Sequence, residues 1–514
     1  MMEITKIPYD QTNSFSKHLI DYLTNDKKLK PFVNHFPSID AFKQQIIEKQ
    51  KHTINRSVLV KVLKKQNASV ELSDKTEANI DSLLLEETFT VTTGHQLCLF
   101  TGPLYFLYKI ISTINLAEQL KEKYPAKNIV PIYWMATEDH DYEEVNHAYI
   151  FGKKRSWNSE QSGAVGRMKL DNIDNLLNEL RSILGESDDA MQLMQLFKKA
   201  YLEHQNLADA TRFLVNDIFG QYGLVIIDGD DKKLKEQFIP LIKKDVLTKG
   251  FADAIRKCTE QLAKDYKAQA YVRDVNFFYL SNGSRGLIKD GVSVADIEES
   301  PETFSPNVLM RPLYQESVLP NVAYIGGGAE LAYWMQLKTA FEQEEMPFPI
   351  FLLRNSALLV SEQQTQKWES LGFEITDLFS SQDELKKKYI LSKKSFKLSL
   401  QTEKEELLKT YAKILKKTTD DGLQKSVRAN LQKQLKSLEK LEQKLLRLEK
   451  KKHESTLNQI EKIKAQLFPN NSLQERHDNF IPFYLQYGDN FIEILKKSLN
   501  PLDANFVVLS HLIK

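Results

Sequence analysis

Residues 88–109 read TFTVTTGHQLCLFTGPLYFLYK, and the change of pattern inside this stretch decides the fold. TFTVT (88–92) is β-rich, a glycine-containing turn follows, and from Leu104 the apolar residues recur with helical spacing until Pro125 stops them. Gly94 permits a tight turn, Thr101 can cap a helix, and Pro103 suits the first helical position, where its missing N–H costs nothing. The stretch therefore predicts strand, loop and helix, with free N–H groups at the helix start able to receive phosphate or carboxylate. Thr93, Gly94, Gln96, Thr101 and Gly102 are the binding residues it offers, and His95 adds a titratable donor. The bland reading is that the glycines only make the turn and His95 satisfies a local hydrogen bond. Cys98, set among Leu97, Leu99 and Phe100, reads as packing rather than nucleophile.

The same theme recurs further along. IVPIYWMA (129–136) runs into the acidic TEDHDYEEVNH (137–147), while GLVIIDGDD (223–231) and PFPIFLLR (347–354) are also short apolar runs ending in polar residues, with helical patterns between several of them. This alternation predicts an α/β fold with a mostly parallel sheet, whose ligands gather at the carboxyl ends of the strands. Four segments follow: a helical lead-in over 1–85, an α/β core with its cleft over 86–400, a coiled coil over 401–467, and a C-terminal segment over 468–514 returning to the core.

In the coiled-coil segment Leu431, Leu435, Leu438, Leu441, Leu445 and Leu448 recur at steps of three or four. With TTDDG (418–422) as the break, 402–417 and 423–466 read as an antiparallel helical hairpin. Its narrow apolar seam needs a partner, such as a second subunit; a hairpin packing only on its own core is the alternative.

The chemistry concentrates after the strands. Glu138, Asp139, His140 and Asp141 can accept a proton from an amine, hold a substrate ammonium or coordinate a divalent ion. Packed at a strand exit, they need either full solvation or a cationic partner, and a dry cleft would raise their carboxyl pKa values. Their spacing matches no zinc signature, so no metal ligands are assigned. Gly326, Gly327 and Gly328 in NVAYIGGGAELAYWMQLK (321–338) allow close backbone approach before a helix that carries Glu330 in its first turn. Consecutive glycines are not the spaced dinucleotide fingerprint, and a sharp connection without ligand explains them equally. Arg354 with Asn355, Arg311, and Asp228 with Asp230 are further polar positions beside apolar runs; either arginine can hold a carboxylate or pin two loops.

Composition narrows the class. Across 514 residues, 70 basic and 69 acidic side chains nearly cancel, so no overall positive field attracts nucleic acid or an anionic membrane. No apolar run approaches membrane-spanning length and the N-terminus lacks a leader pattern, which predicts a cytoplasmic protein. Two cysteines, Cys98 and Cys258, are too few for a disulfide framework.

Taken with their order and spacing, TTGHQLCLFTGPLYFLYKIIS (92–112), PIYWMATEDHDYEEVNH (131–147), GGGAELAYWMQLK (326–338), the lysine- and leucine-rich coiled coil and ERHDNFIPFYLQYGDNFIE (475–493) resemble the BshC family of bacillithiol synthesis over nearly the whole chain. The resemblance implies a Rossmann-like core, a coiled coil that mediates homodimerisation, and addition of cysteine to glucosaminyl malate as the last step of that synthesis. It places Gly94, His95, Gln96 and Glu138 to Asp141 in the pocket. Leu97 and Cys98 depart from the smaller residues expected there, which touches packing and leaves the polar positions intact. Amide formation from a free carboxylate is uphill in water, so ATP with magnesium is the expected activator, although no cofactor is fixed by the residues. Two other readings compete: a non-catalytic coiled-coil scaffold of the same fold, and an ATP-dependent nucleotidyl-transfer enzyme with a different acceptor.

Overall fold

The computed structural model describes residues 2–281, 283–288, 291–393 and 399–512. Five strands form the central sheet: β1 (Thr88–His95), β2 (Asn128–Met135), β3 (Val225–Asp228), β4 (Asn321–Gly326) and β5 (Ile350–Leu353). Every pairing is parallel and the spatial order is β3-β2-β1-β4-β5. This is the doubly wound order, in which the chain starts at the middle and the direction of winding reverses between β1 and β4. All residues of β1 are buried, as expected of a strand covered on both faces.

Helix α1 (Tyr105–Lys123) returns the chain from β1 to β2. Its Leu116, Ala117 and Leu120 join Phe89, Val91, Ile129, Val322, Ile325, Ile350 and Leu352 of the sheet in one apolar cluster. Phe42 and Ile46 from the lead-in complete that cluster. At about 1.5–3 kcal/mol for each fully buried large aliphatic or Phe side chain, the cluster is a main source of the sheet's stability. Helix α2 (Gly328–Met335) follows β4 directly.

Two compact units divide the chain, and they correct the expected boundaries. The larger comprises residues 4–358 and 472–509, so the lead-in from residue 4 onward is part of the same unit as the core it was expected to pack on; the lead-in also opens with a strand, Glu3–Pro8. The smaller holds residues 359–471, so the core ends at 358 and not at 400. Residues 359–400, which the expected core includes, leave it. They instead bury Trp368, Leu378, Leu385 and Ile390 in the smaller unit, where helices Glu362–Ser370 and Gln382–Ser392 pack on the last coiled-coil helix.

That unit's long helices are α3 (Gln401–Leu415), α4 (Asp421–Lys452) and α5 (Glu454–Leu467). Lys404 pairs with Glu442 at 2.7 Å and Tyr411 with Asn430 at 3.0 Å, so α3 and α4 run antiparallel as the leucine spacing predicts. Asp420 caps α4 through the Leu423 N–H, 2.7 Å away, which is why the helix starts two residues before the expected 423. The expected single helix to 466 is broken at His453. Beyond that break the seam becomes a true core, with Leu457, Ile460, Ile463 and Leu467 buried, whereas Leu441 and Leu448 of α4 are exposed. Among the described residues no helix is long and apolar enough to cross a membrane.

Candidate active site

A cleft of about 420 Å³ opens at the carboxyl ends of β1, β2 and β4. It is lined by Gly94, His95 and Gln96 from the end of β1, by Glu138 and Asp139 after β2, and by Glu330 and Tyr333 of α2. The turn with the histidine, the acidic run and the helix after the glycines thus face one hollow, at the point where the winding reverses.

His95 is buried and stacks on Tyr105, with ring centres 5.2 Å apart. The Gln96 backbone N–H donates to its Nδ1 at 2.8 Å, which puts the ring proton on Nε2. That Nε2 is buried without a hydrogen-bond partner among the described residues. Burial first, then the charges of Lys109 and Arg354, hold the imidazole well below its ordinary pKa, so it is a neutral donor. A buried donor left unpaired costs about 1–3 kcal/mol, an expense that a ligand oxygen would remove.

Glu138 lines the same cleft. Burial, reinforced by the Asp230 charge and opposed by Lys235, pushes its carboxyl up to about 7. The raised value expected of a dry cleft is therefore present at Glu138. Asp139 accepts from the Gln96 side chain at 2.7 Å and from the His140 N–H at 2.7 Å, which joins the two stretches. His140 is exposed at the rim, its Nδ1 3.2 Å from Arg285 Nη1, and Asp141 is exposed at the start of a short helix; neither lines the cleft.

Among the cleft residues that the sequence did not single out are Lys109, Arg285, Tyr324 and Tyr333. Lys109 reaches back from α1 to the Gly94 carbonyl at 2.8 Å and pairs with Glu330 at 2.5 Å. Burial raises the Glu330 pKa, but Lys109, the Gly327 N–H and the Tyr324 hydroxyl outweigh it and keep the carboxylate below its ordinary value. Arg311, a lesser position in the sequence, donates to Gln315 at 2.9 Å and Tyr324 at 3.3 Å. Arg285 comes from the strand Ser284–Leu287, stacks on Phe278 at 4.3 Å and donates to the Pro306 carbonyl at 2.9 Å. Among the described residues neither guanidinium meets a carboxylate at ion-pair distance, so both remain available to an anionic ligand.

Other expected positions turn out to hold the fold. Thr101 does not cap α1: the cap is Leu104, whose N–H donates to the Asp478 carbonyl at 2.8 Å. The Asn479 side chain donates to the Phe100 and Gly102 carbonyls at 2.8 and 2.6 Å, so the closing segment fills the helix start where an anion was expected. Thr101 and Gly102 are consequently sealed from ligand. Thr93 is also buried, its hydroxyl donating to the Ile325 carbonyl at 2.8 Å between β1 and β4. The glycines at 326–328 serve packing and capping: a Cβ on Gly326 would lie 2.5 Å from Phe351, and Glu330 accepts the Gly327 N–H at 2.8 Å. Arg354 pairs with buried Glu475 at 2.8 Å and Asn355 bonds Ser112, which takes both away from the cleft. Asp228 accepts the Thr137 hydroxyl, and Asp230 is held by Arg167 through two bonds of 2.7 Å. Cys98 is buried, which pushes its thiol up to about 12, in keeping with a packing role.

Gly94 is required by close approach, since a Cβ there would stand 2.9 Å from the Tyr324 hydroxyl and 3.6 Å from Arg311 Nη1. Gly94→Ala is expected to displace the Tyr324 hydroxyl and weaken ligand binding at least tenfold, about 1.4 kcal/mol, with little change in secondary structure. Isothermal titration with glucosaminyl malate, the substrate that the sequence resemblance implies, checks it, and unaltered affinity would show that the close approach is irrelevant to the cleft.

Strand order and cleft position together define a doubly wound α/β protein whose candidate site lies at the switch between β1 and β4. The chain belongs to the BshC family: residues 2–355 match the bacillithiol biosynthesis BshC N-terminal Rossmann-like domain, and residues 357–511 match its C-terminal coiled-coil domain. It is 45% identical to a protein of Flavobacterium johnsoniae over 98% of this chain and 99% of that protein. Identity is 44% to one from Flavobacterium psychrophilum, with the same coverage, and 34% to one from Cytophaga hutchinsonii over 98% of each. All three carry the name "Putative cysteine ligase BshC". The division found in the structure, near residue 358, agrees with the junction of the two family domains.

Proposed function

We propose that this protein is a cysteine ligase that joins the carboxyl of L-cysteine to the amine of glucosaminyl malate, forming the amide that completes bacillithiol. The observation that carries the reading is the presence, in one cleft, of a neutral imidazole whose Nε2 has no partner among the described residues and a carboxylate poised near neutrality. Amide formation needs both. The sugar's ammonium must lose a proton before it attacks, and the carbonyl oxygen gathers negative charge as it is attacked.

Glu138 takes that proton; a base with a pKa near the working pH combines availability with driving force. His95 Nε2–H faces the developing oxyanion, and being neutral and buried it loses little to solvent when it does so. The guanidinium groups of Arg311 and Arg285, which meet no carboxylate among the described residues, receive the carboxylates of malate and cysteine through hydrogen bonds. Lys109, fixed by Glu330, supplies a further positive charge. ATP with magnesium would turn the cysteine carboxyl oxygen into a leaving group, and the same cationic lining suits its phosphates.

Exposure of His95→Ala protein to both substrates is expected to give product about 10²–10³ times more slowly, the usual cost of one oxyanion donor, with the circular dichroism spectrum retained. An undiminished rate would remove His95 from the chemistry. For the reading as a whole, the purified chain is incubated with cysteine and glucosaminyl malate, with and without ATP and magnesium, and the thiol product is followed by mass. Product that depends on ATP supports ligation with nucleotide activation, and product without it requires another energy source. Absence of product under every condition favours the coiled-coil scaffold, while a nucleotidylated acceptor favours the third reading.

A further inference from the structure

Behind the cleft wall lies Lys235, on the short helix Lys232–Glu236. Its side chain is 0% exposed and does not line the cleft, whereas that of Glu138 is 13% exposed and does. Its ammonium bonds Glu138 Oε1 directly and also donates to the Glu302 carbonyl at 3.2 Å. Resting on the ligation reading above, we propose that Lys235 is the positioning residue of the site: from behind, it orients the Glu138 carboxylate toward the cleft and keeps it ionised for the incoming ammonium.

The neighbours of Glu138 show why this falls to Lys235. Asp230 faces it with a like charge, but that charge is taken up by Arg167. Arg285 approaches from the strand Ser284–Leu287 without an ion pair to Glu138, and Asp139 is turned to Gln96 and the His140 N–H. Tyr314, also close, donates its hydroxyl to the Gly229 carbonyl at 2.7 Å and adds no positive charge. Among the described residues Lys235 is thus the cation in contact with this carboxylate, and an opposite charge at such range lowers a carboxyl pKa by about 1–3. A lysine buried this completely is rare without a partner, and its ion pair is not a surface one that solvent would screen. Since it cannot touch a ligand, its removal should change the protonation of the base and leave substrate affinity as it was.

The test uses the full chain with Lys235→Met and Lys235→Arg, read in two ways. Difference infrared spectra, with the Glu138 band assigned by its loss in Glu138→Gln, give the carboxyl's titration midpoint without any turnover. The pH profile of product formation gives the acid limb. Lys235→Met should raise both by about one pH unit or more, a fall of about tenfold or more in the ratio of ionised to protonated carboxyl, with KM for cysteine unchanged and the rate recovered in alkali; Lys235→Arg should restore the midpoint. Should the methionine variant not fold, Lys235→Gln, which keeps a donor for the Glu302 carbonyl and removes only the charge, carries the same expectation. A midpoint that does not move in a folded, uncharged variant overturns the proposal. If instead the midpoint moves but the native chain makes no product, the ligation reading fails and the control of Glu138 by Lys235 stands.

Discussion

Glu138→Gln is expected to slow thiol formation by about 10²–10⁴, the span that a positioned general base contributes. Glutamine preserves the shape of the side chain and its reach to Lys235, so what is lost is the capacity to accept a proton. The pH profile makes the result specific. With Glu138 pushed up to about 7, the native rate should rise as pH increases through that value, because only the ionised carboxyl takes a proton. The residual activity of the glutamine variant should lack this rise.

The same group leaves a mark on stability, of opposite sign. A carboxyl whose folded pKa is raised favours the protonated form in the folded state, so stability falls as pH increases from the unfolded value near 4.5 toward 7. Activity therefore grows in the window where this residue's contribution to folding declines. Equal rates for Glu138→Gln and the native chain would pass the role of base to another group.

Arg354→Met is expected to destabilise the larger unit by about 3–5 kcal/mol, because it leaves the carboxylate of Glu475 buried and unpaired. Arg354 is 8% exposed at its side chain and Glu475 is 0%, and Glu475 also accepts from the Ser356 hydroxyl at 3.1 Å and the Ala357 N–H at 2.9 Å. The pair ties the end of β5 to the closing segment, and the guanidinium lies over the Tyr105 ring at 4.9 Å. Replacing both partners, Arg354→Met with Glu475→Leu, should recover much of the loss, since two apolar side chains leave no charge stranded. Denaturant titrations of the three proteins decide the matter. A stable Arg354→Met protein with weakened substrate binding would return the arginine to the ligand-holding role that the sequence suggested.

That contrast shows where the sequence was legible. The β1, turn and α1 unit, the alternation of apolar runs, and the acids placed directly after β2 are local patterns, and local patterns carry period and polarity. They were enough to bring His95, Gln96, Glu138 and Asp139 to one place. What they could not reveal depends on residues distant along the chain. Thr101 looks like a cap until Asp478 and Asn479 arrive from the far end and occupy the helix start. Arg354 reads equally as a ligand holder or as a pin between two loops, and only Glu475, far along the chain, decides for the pin. Lys109 was hidden for a different reason: it sits in the apolar run of α1, where a lysine passes for part of the helical pattern, and only its partner Glu330 on α2 gives it a purpose. The glycines at 326–328 suggested a ligand cradle, yet the side chain that reaches the cleft is that of Glu330 just beyond them. The boundary near 358 was missed because apolar spacing continues across it while the partners of those side chains change.

The most direct measurement of the shared cleft is a crystal of the full chain soaked with glucosaminyl malate. The account predicts the sugar amine beside Glu138, the malate carboxylates on Arg311 or Arg285, and space left for cysteine next to His95 Nε2. A ligand bound elsewhere, with the hollow between Gln96, Glu138 and Glu330 still filled by water, would contradict it.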